Sequence, residues 1–123
     1  MANKKQQKLE LTWIGKGEEP TLEPRILIEN PEYSYGDSDS ENMLIHGDNL
    51  LALKALEQDY AGKVKCIYID PPYLTGLDFK TKDGNFAYTD KFTLDNYLQF
   101  IYERLYLMSL LLSKSGFIYV HVD

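Results

Sequence analysis

Three aspartates close three short apolar runs in this chain. Asp48 follows Met43-Leu-Ile-His-Gly47, Asp70 follows Val64-Lys-Cys-Ile-Tyr-Ile69, and Asp123 follows Phe117-Ile-Tyr-Val-His-Val122. An acid at the end of one strand commonly caps the next helix or turn. Three of them in one parallel sheet would instead face a shared crevice, because ligands of such sheets bind beyond the carboxyl ends of the strands. The middle acid opens the tetrapeptide Asp70-Pro71-Pro72-Tyr73. Two successive prolines fix φ twice and remove two donors, which stiffens the turn and leaves nearby carbonyls free to accept hydrogen bonds. A carboxylate and a fixed main-chain carbonyl then make a pair of acceptors, with the flat face of Tyr73 beside them. That set suits a planar amino group with two N–H donors, and adenine N6 is such a group. Its lone pair is delocalised into the ring and becomes nucleophilic only as the nitrogen pyramidalises, a geometry that two acceptors favour in the transition state. The plainer alternative is a proline-rich turn that merely ends a strand.

The runs that carry these acids are β-rich and nearly continuous in apolar residues, as strands covered on both faces of a parallel sheet are. Leu50 to Asp59, made of good helix formers and ended by Ala61-Gly62, predicts a crossover helix between the first two. Leu94, Leu98, Ile101, Leu105, Met108 and Leu112 recur at intervals of 4, 3, 4, 3 and 4. This spacing draws one face of a longer helix, with Thr93 as N-cap and Gly116 as the stop. Strand, helix, strand, loop, helix, strand is the order of right-handed βαβ units in a three-layer α/β fold. Residues 1–40, broken by Pro20, Pro24 and Pro31, read as an N-terminal extension on the outside, with Leu9 to Ile14 and Arg25 to Ile28 as candidate edge strands.

Composition bounds the rest. With 123 residues, 44% hydrophobic and 26% charged, the chain is that of one soluble globular domain rather than a disordered or membrane segment. The longest nearly apolar stretch, Leu105 to Leu112, is far short of a bilayer span, and the basic opening has no apolar core of a secretory signal. A single cysteine, Cys66, excludes an internal disulfide and fits a reducing, cytoplasmic compartment. The net charge of −6 argues against a domain that grips a polyanion by itself. Residues 26–62 carry the imbalance, with one basic and eight acidic groups, much of it in the loop-like stretch 33–42. The pair Gly15-Lys-Gly17 precedes Glu-Glu-Pro rather than a helix and is no nucleotide loop.

Asp-Pro-Pro-Tyr after an apolar strand resembles the catalytic motif of the amino-group DNA methyltransferases that modify adenine N6. The likeness extends to Asn42 through Leu56, to Ile67 through Tyr73 with Thr75-Gly76, to Arg104-Leu105, and to Gly116 through Asp123, which are similar to ordered blocks of the β-group enzymes. Leu9-Glu-Leu-Thr-Trp-Ile-Gly-Lys16 is similar to the opening of modification subunits of type III restriction–modification systems. The resemblance implies a partial Rossmann-like methyltransferase fold, a mostly parallel sheet with flanking helices. It implies S-adenosylmethionine as methyl donor and, as partners, double-stranded DNA with a flipped adenine, a restriction subunit and a second copy of the enzyme, with no membrane. Flipping the base would cost about a few kcal/mol. By the same resemblance Asp70 and the Pro71 carbonyl would hold the amino group, Pro72 would fix the turn and Tyr73 would stack on the base. Asp48, with Asp70 and Pro71, would line the cofactor site.

Two features depart from that family. Leu74 stands where Asn usually follows the tyrosine, and the Phe-x-Gly-x-Gly cofactor segment and the target-recognition region are not in these residues. Residues 41–123 therefore read as the first part of a catalytic domain, truncated before both, and inactive alone. A non-catalytic truncated product, associating through Tyr97, Tyr102 and Tyr106 of the long helix, is one rival. A second is a metal-dependent hydrolase built from His46, Asp48, Asp70, His121 and Asp123, since His-x-Asp residues on a strand point the same way.

Overall fold

The computed structural model describes residues 8–37 and 39–123. The basic opening, residues 1–7, and Ser38 in the acidic stretch lie outside them. Helix α1 spans Asn49–Tyr60 because Asp48 caps it: one carboxylate oxygen accepts from the backbone N–H groups of Leu50 at 3.0 Å and Leu51 at 3.1 Å. It ends where expected. Ala61 donates back to the Glu57 carbonyl, and Gly62 takes a left-handed φ of 68° that glycine alone adopts without cost. The amide of Gly62 then donates to the Leu110 carbonyl at 2.9 Å, tying the end of α1 to the second helix.

Strand β1 (Val64–Ile69) follows, then a short antiparallel hairpin of β2 (Asp78–Lys80) and β3 (Phe86–Thr89). Helix α2 covers Leu94–Leu111, with Thr93 accepting from the Asn96 amide as its N-cap. Strand β4 (Leu112–Val120) runs parallel to β1 and directly beside it. The chain is thus α/β, a parallel two-stranded sheet flanked by helices. Its buried apolar residues, Ala55, Leu107, Met108 and Leu111, come from the two helices.

Four expectations differ from the structure. Met43 to His46 forms no strand, because an extended run becomes one only through a hydrogen-bonded neighbour, and β1 pairs with β4 alone among the described residues. Leu9 to Ile14 and Arg25 to Ile28 are likewise not strands. Instead the extension rests on α2: the Trp13 indole donates to Gln99 at 2.8 Å, packs edge-on against Tyr102, and the Ile14 amide donates to Asp95. Helix α2 stops at Leu111, before Gly116, since Leu112 already turns extended to enter β4. Finally, the sheet is half-buried on one face only, and Cys66, Tyr68, Phe117 and Tyr119 of its other face are exposed. Among the described residues no helix is long and apolar enough to cross a membrane.

Gly116 has a different duty from the one its position suggests. The pairing of β1 with β4 shifts register between Val64 and Cys66, and a Cβ on Gly116 would sit 2.7 Å from the Val64 carbonyl oxygen and 3.1 Å from that of Ser113. Backbone cannot yield as a side chain does. Gly116→Ala is expected to destabilise the chain by about 1–3 kcal/mol in urea unfolding, and an unchanged midpoint would show that the strands separate here at no cost.

Candidate functional site

The parallel register decides what meets at the carboxyl ends of β1 and β4. Ile69 lies opposite Val120, and the His121 amide donates to the Ile69 carbonyl at 2.9 Å, so Asp70 and His121 leave the sheet side by side. The His121 ring nitrogen Nδ1 lies 3.1 Å from Asp70 Oδ1 and 2.7 Å from the Tyr73 hydroxyl, which itself donates to Asp70 Oδ1. An imidazole protonated at Nδ1 satisfies the whole set, donating to the tyrosine oxygen while the tyrosine proton goes to the carboxylate. The two rings stand edge to face with centroids 5.7 Å apart. Both contacts converge on Oδ1, and among the described residues Oδ2 of Asp70 and the Pro71 carbonyl accept no hydrogen bond. The Asp70 side chain is 57% exposed, so its second oxygen faces solvent, while Pro71 is half-buried.

These contacts shift both titrations. The Tyr73 hydroxyl, followed by the His121 ring, holds the Asp70 carboxyl below the usual carboxylate range, outweighing desolvation. The same hydrogen bond to Asp70, helped by burial and by the charges of Asp70 and Asp123, pushes the Tyr73 hydroxyl up to about 12.

The turn is also held from behind. Tyr97 of α2 donates its hydroxyl to the Pro72 carbonyl at 2.7 Å. Past Tyr73, Leu74 sits at φ 62°, the one non-glycine residue in the left-handed region among the described residues. Its amide donates to Oδ1 of Asp90 at 2.7 Å, and the next amide, of Thr75, donates to Oδ2 at 2.6 Å. Asp90 is 1% exposed, and no other described polar or charged residue is buried. Desolvation pushes its carboxyl up, but hydrogen bonds from Thr75, Leu74 and Tyr73 outweigh it and leave the group ionised below its ordinary range. Sequence reasoning gave no role to Asp90, and it placed Tyr97 on an association stripe. The Asp83-Gly84 pair is the available signal of the hairpin between β2 and β3 that delivers Asp90 to this loop.

In the turn Asp70 is exposed while Pro71, Pro72 and Tyr73 are half-buried, and the charge of Asp123 adds a minor upward push on the Tyr73 hydroxyl. Asp48 stands at the start of α1, where one oxygen is committed to the cap; beside it Asn49 accepts from Arg104 Nε at 2.7 Å. The metal-hydrolase set does not assemble: among the described residues no three His, Cys, Asp or Glu side chains come together as ligands.

A parallel β-α-β unit whose first strand ends in a rigid Asp-Pro-Pro-Tyr turn defines a class, and the comparisons agree with it. Residues 64–123 match the family described as DNA methylase. The chain is 45% identical over 84 residues to a probable type III restriction-modification enzyme HindVI Mod subunit of Haemophilus influenzae, covering 68% of this chain and 10% of that protein. It is 34% identical to the StyLTI Mod subunit of Salmonella typhimurium over 85% of this chain and 18% of the relative. The type II methyltransferase M.EcaI of Enterobacter cloacae is 44% identical over 66% of this chain and 18% of its own length. The chain thus spans between a tenth and a fifth of these relatives.

The coupling of Tyr73 to Asp70 has a readable consequence. A hydroxyl whose folded pKa is raised contributes stability below its ordinary pKa near 10, and that contribution is lost as pH climbs toward the folded value. The Tyr73 phenolate, read by NMR of labelled tyrosine, is expected to form near pH 12. In Asp70→Asn the midpoint should fall back toward 10. A midpoint indifferent to Asp70→Asn contradicts the contact.

Proposed function

We propose that the chain forms the amino-group-holding part of a DNA adenine-N6 methyltransferase, the modification subunit of a type III restriction–modification system. The observation that carries the reading is the turn at the end of β1: an exposed carboxylate with one oxygen engaged and the other without an internal partner, one residue before a carbonyl that accepts no hydrogen bond among the described residues, beside a tyrosine ring. Asp70 and the Pro71 carbonyl would each accept one hydrogen of the N6 amino group. Pro72, with Tyr97 on its carbonyl, keeps the two acceptors in place. Tyr73, tethered by its hydroxyl, would offer its ring face to a base flipped out of the duplex. Two of the similar proteins are named type III Mod subunits, which supports DNA as substrate and a restriction subunit as partner.

S-adenosylmethionine fits the acceptors present. Asp48 has one oxygen outside the α1 cap, and Asp70 has one oxygen without an internal partner; Asp48, Asp70 and Pro71 would hold the cofactor, which when bound supplies an electrophilic methyl group. The chain's own part is positioning. Asp70 does not need to be a strong base, because the amino proton leaves readily once the nitrogen carries a fourth substituent.

Transfer of labelled methyl to DNA tests this in a polypeptide extending the chain to a Phe-x-Gly-x-Gly segment and a target-recognition region; the 123 residues by themselves are expected to transfer none. Asp70→Ala should lower kcat by about 100- to 1000-fold, the usual effect of deleting one preorganised group. Tyr73→Ala should weaken base holding by about tenfold or more. Normal methylation by Asp70→Ala sinks the reading.

A further inference from the structure

We propose that Asp90 is a positioning residue for this turn: it holds Leu74 in the left-handed conformation that lets Asp70-Pro71-Pro72-Tyr73 leave β1 and reverse into the hairpin. The inference rests on the reading of the turn as the amino-group site, but its argument is geometric. A charge excluded from water is costly unless it is paired, and among the described residues no cation pairs Asp90. What satisfies it is the segment just past the tetrapeptide: the amides of Leu74 and Thr75, one on each oxygen at 2.7 Å and 2.6 Å, with further help from the Thr75 side chain and the Tyr73 backbone. Both amides can aim at one carboxylate only because Leu74 turns left-handed between Tyr73 and Thr75. An L side chain with a branched Cγ pays for that conformation, whereas glycine or asparagine adopts it readily. Two backbone bonds complete the clamp, Gly76 N–H to the Asp90 carbonyl at 3.1 Å and Asp90 N–H to the Leu77 carbonyl at 2.8 Å. Asp90 thus joins the first residues of the hairpin to the last of the turn. It touches no reacting atom, so its effect on methyl transfer passes through the placement of Asp70 and Tyr73.

The test pairs Asp90→Asn with Leu74→Gly. The asparagine keeps the shape but sets an NH2 group against one of the two amides, so the Leu74 and Thr75 amides of the 123-residue chain should lose their protection from hydrogen exchange. In the extended enzyme kcat should fall about 100-fold, the loss expected from a misplacement near 1 Å. Leu74→Gly added to Asp90→Asn should restore about tenfold, since glycine reaches φ 62° without help. A charge that serves only bulk stability would not be rescued in that way. If Asp90→Asn does not fold, the double variant carries the test; failure of the double variant to fold, or activity no better than the single variant's, overturns the proposal. So does wild-type kcat in Asp90→Asn while Asp70→Ala is inactive. Full activity in Asp70→Ala would instead refute the amino-group reading, and the exchange of the two amides would still decide the clamp.

Discussion

Everything at this site descends from one backbone hydrogen bond and the register behind it. With the His121 amide on the Ile69 carbonyl, two parallel strands finish level with each other, and the first side chains beyond the sheet are forced together. Parallel strands need a long crossover, here the hairpin and α2. That connection returns to the turn it started from, through Tyr97 on Pro72 and Asp90 on Leu74 and Thr75. The crossover is therefore more than a spacer: it supplies the rear supports of the loop that precedes it.

Two aspartates a short way apart show how environment divides roles. Asp90 is sealed from water, and both of its oxygens are consumed by amides. Such a group can only hold the chain. Asp70 is exposed, with its two internal contacts on a single oxygen. Such a group keeps acceptor capacity for a ligand. Asp48 stands between the two cases, capping α1 with Oδ1 and facing solvent with the rest.

The helices, β1 and the tetrapeptide turn were legible because each is specified locally. The 4, 3, 4, 3 spacing from Leu94 to Met108 draws α2, Thr93 and Asp48 supply caps, and Asp70 through Tyr73 are contiguous. What was not legible depends on partners distant in the chain. Met43 to His46 has the composition of a strand, but composition does not provide the neighbouring ladder. Asp90 has no sequence signal of its own, since an aspartate after a β-rich run of four looks like any turn acid until the hairpin is closed. His121 enters the sequence reading only as part of the rival metal-hydrolase set, and the register that sets it against Asp70 and Tyr73 depends on a strand 51 residues away.

The depressed Asp70 titration bears on which kind of catalysis the turn could support. A general base works best with a pKa near the working pH, and the hydrogen bonds from Tyr73 and His121 move Asp70 the other way. Stability from those bonds is present above the ordinary aspartate range and fades only as pH falls through the lowered value, so the carboxylate stays charged and fixed at neutral pH. A weak base locked in one orientation is poorly made for pulling off a proton and well made for accepting a hydrogen bond in a set direction. On the adenine-N6 reading, that favours a mechanism in which the turn shapes the amino group and the proton departs later. The stiffness of the loop, set by two prolines, Tyr97 and the buried Asp90, then matters more to the rate than the basicity of Asp70.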